Sequence, residues 1–152
     1  MLFTSICTAL LAAANYAVAT PVKPQGGTPN SLNTPSDATC VNGLITPYSK
    51  TDLENMRKWF VEQSSNGTDF IRAGSWYTWT LGTTRLCIYN TSPNSTQDEY
   101  ISHKAHAQCL EKVRDSCCSP TADQCRAGQT PEYSADGSEV LCRVSSETSV
   151  CK

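Results

Sequence analysis

Hydrophobic and polar positions alternate along the chain with two different periods, and the switches between them mark out the elements. Between residues 40 and 46, Val41, Leu44 and Ile45 stand before Pro47, the pattern of a short edge strand. Thr51-Asp52-Leu53-Glu54 then matches a capping box, in which the hydroxyl and the carboxylate each satisfy a free backbone N–H. A helix is predicted to follow. Leu53, Met56 and Phe60 recur at helical spacing with Trp59 beside them, Glu54 precedes Lys58 by four residues, and Asn66-Gly67 supplies the stop.

Residues 75–90 read SWYTWTLGTTRLCIYN, aromatic and β-branched on both sides of Gly82-Thr83-Thr84, which predicts a β-hairpin. On its first strand Tyr77, Trp79 and Leu81 share one face, and Trp76, Thr78 and Thr80 share the other. A second capping box, Thr96-Gln97-Asp98-Glu99, opens a helix predicted to reach Cys117, with Ile101, Ala105, Cys109, Leu110 and Val113 on its inner face. A loop tied by Cys125 follows. Asp136-Gly137 then marks a tight turn into a strand over 139–145, where Val140, Cys142 and Val144 alternate with Leu141 and Arg143. The order β-α-β-β-α-β is the split βαβ pattern. It predicts an α+β fold with two helices covering one face of an antiparallel sheet.

The N-terminus sets the compartment. Residues 2–14 are almost all apolar or small and lead to Ala17-Val18-Ala19, which reads as a signal peptide over 1–19 with an A-x-A cleavage site. The apolar run is shorter than the ~20 residues of a membrane-spanning helix, so no membrane span is expected and the protein is expected to be secreted and extracellular. Residues 20–39 hold four prolines and a single leucine, a composition that buries too little to fold, and read as a flexible leader. The segment 40–152 is then a single disulfide-rich domain.

Composition sharpens this picture in two places. The 152 residues carry a formal net charge of -2, too little positive charge for nucleic-acid binding driven by counterion release. Of nine cysteines, Cys7 leaves with the signal peptide, and an even set remains: Cys40, Cys87, Cys109, Cys117, Cys118, Cys125, Cys142 and Cys151. Their spacing does not fit structural zinc, whereas secretion favours disulfides. The connectivity stays open. The neighbours Cys117 and Cys118 are expected to take separate partners. Three N-x-[ST] sequons, at Asn66, Asn90 and Asn94, are expected on surface loops as glycosylation sites.

Candidate chemistry is sparse. His103 and His106 are the only histidines; three residues apart on the second helix, they read as helix-surface residues, without a third ligand to complete a metal site. A ribonuclease would need a Glu, a His and an Arg around a phosphate, and Glu99, His103 and Arg114 are the available set. No nucleophile elbow, zinc-protease, P-loop or dinucleotide motif occurs, so no catalytic residue, metal or cofactor is assigned. Trp76 and Trp79 form the candidate binding surface, where an exposed ring stacks on a sugar.

On these features the chain resembles the fungal small secreted cysteine-rich proteins, a group that includes effectors and the killer-toxin-like α/β sandwiches. The resemblance rests on Ala17-Val18-Ala19, the Pro-rich leader, and Trp79, Thr80 and Gly82 leading to Leu86-Cys87-Ile88-Tyr89. The helix through Cys109 to Cys117-Cys118 and the strand around Cys142 complete it. It implies an effector or virulence-type protein that binds an extracellular protein or glycan of a host or competitor, and the chain is expected to be a monomer. A small ribonuclease-like hydrolase and a cell-wall or glycan-binding module are the alternatives.

Overall fold

The computed structural model describes residues 38–41, 46–63, 66–90 and 97–151. The signal segment 1–19 with Cys7, the leader up to residue 37, and the sequon at Asn94 lie outside them. The elements are β1 (Thr39–Cys40), α1 (Lys50–Lys58) with a π-helical turn (Trp59–Gln63), β2 (Thr68–Ile71), β3 (Trp76–Leu81) and β4 (Thr84–Tyr89). Next come β5 (Glu99–Ser102), α2 (His103–Cys117), β6 (Gly128–Tyr133) and β7 (Glu139–Ser146). The fold is α+β. Its main sheet runs β1-β6-β7-β4-β3 and a separate ribbon pairs β2 with β5, every pairing antiparallel. The predicted hairpin and final strand are in place, while β2, β5 and β6 stand in addition to the four strands expected.

Both helices start elsewhere than the capping boxes place them. At α1 the cap is Ser49, whose Oγ accepts from Asp52 N at 3.2 Å, because the Thr51 N–H is already taken by the Asp123 carboxylate at 2.7 Å. At α2 residues 99–102 are drawn into the ribbon with β2, and the helix starts nearly two turns later than Thr96 would set it, capped by Ser102 Oγ accepting from Ala105 N at 3.1 Å. Long-range strand pairing has overridden a local capping signal. The leader boundary shifts as well, since Thr39 already pairs with Gln129 and Ala38 is buried.

One face of the sheet presents Leu86, Ile88, Val140, Cys142 and Val144 to Leu53, Met56, Phe60, Leu110 and Val113 of the helical segments, and these form the core. Burying each such side chain stabilises by roughly 1.5–3 kcal/mol. The opposite face carries a smaller cluster, Cys87, Tyr89 and Cys151 with Leu141 against it.

Four disulfides staple these layers: Cys40–Cys117, Cys87–Cys151, Cys109–Cys142 and Cys118–Cys125. The neighbouring cysteines do take separate partners. Among the described residues no helix is long and apolar enough to cross a membrane.

The β3–β4 hairpin closes through Gly82-Thr83, with Leu81 opposite Thr84. Gly82 has φ +53°, and a Cβ there would lie 2.4 Å from the Asp52 carboxylate. That carboxylate accepts from Thr83 N at 2.8 Å and Thr83 Oγ1 at 2.7 Å, which locks the turn onto the first turn of α1.

Candidate functional site

The structure overturns the surface reading of the two histidines. His106 is completely buried and His103 nearly so, on the same stripe of α2 as Cys109, Leu110 and Val113. His106 Nε2 lies 3.0 Å from Asp69 Oδ2 on β2, and its Nδ1 lies 3.3 Å from Glu132 Oε2 on β6. Trp79 Nε1 donates to the same Asp69 oxygen at 2.9 Å, and His103 Nε2 lies 3.5 Å from Asp69 Oδ1. The cluster therefore ties β2, β3, α2 and β6 together.

Its electrostatics follow from this geometry. Burial works against a charged imidazole at His106, but the hydrogen bonds and attraction of Asp69 and Glu132 outweigh it and push the group up to about 9. Burial also works against the Asp69 carboxylate, yet the hydrogen bonds from His106 and Trp79 and the attraction of both imidazoles hold it below its ordinary range. His106 is thus an imidazolium at neutral pH with both ring nitrogens donating. With both nitrogens engaged it offers no lone pair for base catalysis, and none of its surface is exposed among the described residues. The arrangement is an internal clamp.

An aromatic shell closes over the clamp. Trp79 packs on Trp59 at 4.7 Å and edge-on to Phe60 at 5.4 Å between ring centroids, and the His103 and His106 rings stack at 5.8 Å. Trp79 accordingly belongs to the interior and not to the candidate binding surface. Trp76 is on the other face of β3 and is 53 % exposed. It heads a row across the helix-free face, opposite Tyr89, which stands opposite Leu141, which stands opposite Pro131, with exposed Tyr133 in the next row. A second exposed pair, Phe70 and Tyr100, faces out from the ribbon with ring centroids 5.2 Å apart.

The ribonuclease set is not assembled. Arg114 is held by Glu54 at 2.6 Å and Asp115 at 2.7 Å, and it lies eleven residues along α2 from His103, about 16 Å at helical rise. Glu99 is buried in β5. Glu132 approaches Cys109 and Cys142, but their sulfurs are bonded to each other and offer no thiolate to a metal.

Of the sequons, Asn66 is exposed. Asn90 is a correction: it is only 2 % exposed, and its Nδ2 donates to Gln97 O at 2.8 Å and Ile71 O at 3.4 Å. The carbonyls at the junction of β2 with the loop before β5 need a donor, and Asn90 supplies it.

No local motif in the sequence marks Asp69 or Glu132 as partners of the histidines. The signal available was helical register, which sets His106 three and four residues before Cys109 and Leu110 and so predicts an inward imidazole needing acidic partners. Among known proteins, no protein-family model matches the chain and no curated protein matches it significantly.

Proposed function

We propose that this is a secreted, glycosylated, disulfide-stapled protein that acts by binding outside the cell, as an effector-type protein directed at a host or competitor. The observation that carries the reading is the placement of its two kinds of side chain. The imidazoles are spent on an internal clamp, whereas Trp76, Tyr133, Phe70 and Tyr100 are exposed on strand surfaces. Exposed aromatic rings are the groups that dominate binding surfaces, for protein and sugar alike. Four disulfides suit a small domain working in an oxidising compartment.

A glycan-binding module is the second reading, favoured by Trp76 at the head of the exposed row. The hydrolase alternative has less support, because Glu99, His103 and Arg114 do not meet. The test is retention of the purified protein on intact cells, isolated cell walls and insoluble polysaccharides, with RNA hydrolysis assayed in parallel. Retention on cells without hydrolysis supports the binding reading, and retention on one polysaccharide alone selects the glycan module. Hydrolysis of RNA without retention on any surface overturns both.

A further inference from the structure

The outer edge of β3 is an unguarded strand, and we infer that it pairs with the same edge of a second copy of this chain around a two-fold axis at Thr78. The parity of the hairpin fixes which groups are free. A two-residue turn makes Leu81 and Thr84 a hydrogen-bonded pair, and Asn90 N donating to Ser75 O at 3.0 Å sets the same parity at the far end. Tyr77, Trp79 and Leu81 therefore direct their backbone groups to β4. Trp76, Thr78 and Thr80 direct theirs away from the sheet, and no backbone partner meets them among the described residues.

Natural edges are blunted by charge, proline or brevity. The opposite side of this sheet is guarded in that way: β1 has only two residues, and Pro131 interrupts β6 beyond it. β3 has six residues, WYTWTL, with no charge and no proline, and five of the six are exposed. A strand of this kind is a template for another strand.

Self-pairing fits it in detail. Setting Thr78 opposite its own counterpart puts Trp76 opposite Thr80 and uses all three free residues of both copies, whereas a slip to Trp76 opposite Thr78 leaves one residue of each unpaired. The same register places Tyr77 opposite Trp79, an aromatic cross-strand pair. Just beyond the strand ends it sets Gly74 opposite Gly82, two positions that bring no side chain of their own to the approach. Charges agree as well. Exposed Arg72 precedes one end of the edge and the Asp52 carboxylate sits beside Gly82 at the other, so an antiparallel copy brings each arginine to the end that carries its partner's carboxylate. The proposed dimer departs from the monomer expected from sequence, because strand order, and so edge identity, is not written in the local pattern.

Sedimentation equilibrium of the purified protein over roughly a thousandfold range of concentration tests the proposal, since mass action must appear in the average mass. The wild type is expected to rise from one chain to two. Thr78→Pro removes an outward-facing N–H that β4 does not use, and is expected to stay at one chain with an unchanged near-UV spectrum. Thr78→Lys sets two ammonium groups across the axis and is expected to weaken the dimer at least tenfold, with partial recovery in high salt. It carries the test if the proline variant fails to fold. A wild type that stays at one chain throughout, or a folded Thr78→Pro or Thr78→Lys that associates as the wild type does, would overturn it.

Discussion

His106 and Asp69 form a buried ion pair, Nε2 to Oδ2 at 3.0 Å, between a helix and a ribbon strand that are 37 residues apart in the chain. Glu132 holds the other ring nitrogen, so the imidazolium is sandwiched between two carboxylates. Removing one member of such a group strands the others in the interior. His106→Ala leaves two carboxylates without their shared cation and is expected to cost about 3–5 kcal/mol in denaturant unfolding.

The same pair predicts the pH dependence of stability. His106 rises from 6.5 unfolded to about 9 folded, so its contribution is complete below about pH 6.5 and is lost as pH climbs through 9. Asp69 is depressed, so its contribution is present above its ordinary 3.8 and is lost as pH falls through the lower folded value. Thermal unfolding is therefore expected to be highest between these limits. The midpoint should fall by about 10 °C from pH 6.5 to pH 9, the equivalent of a few kcal/mol. His106→Gln is expected to flatten the alkaline limb.

Gly82 is the turn position least able to accept a side chain. Gly82→Ala forces a Cβ into left-handed backbone at φ +53° and against Asp52. It is expected to lose about 2 kcal/mol or more, by strain and by displacing the carboxylate that holds Thr83. Asp52→Ala, which removes the contact without the strain, is expected to lose less in the same unfolding measurement.

The disulfides should differ in weight. Cys40–Cys117 closes a loop of 77 residues and Cys118–Cys125 one of 7. On loop-closure entropy, the paired serine replacement of the first is expected to cost about 4–5 kcal/mol and of the second about 2 kcal/mol, read from chemical denaturation.

Glycopeptide mass spectrometry of the secreted protein checks the sequons. Asn66 is expected to carry glycan, and Asn90 is expected to be bare, because its amide nitrogen is inside and already donates twice. Asn90→Ala is expected to destabilise the fold by about 1–3 kcal/mol, since two carbonyls lose their donor.

The parts legible in the sequence are those whose pattern is local. The hairpin was carried by aromatic and β-branched alternation around Gly82-Thr83, α1 by Leu53, Met56 and Phe60, and β7 by Val140, Cys142 and Val144. What escaped depends on distant partners. Glu99 and Ile101 read as the start of a helix, and only pairing with Ile71 and Asp69 makes them strand. β6 has no alternation to betray it, because Thr130 and Glu132 face inward on either side of Pro131. The clamp is hidden for the same reason, since its charges come from three elements, β2, α2 and β6, and none announces its partners locally.

Retention of labelled protein on the cells it acts upon, compared between the wild type and Trp76→Ala, tests the binding account most directly. Trp76 is exposed on the helix-free face, so its removal should leave the unfolding midpoint unchanged. Binding through this face predicts at least a tenfold loss of retention. Equal retention of the two folded proteins would contradict it.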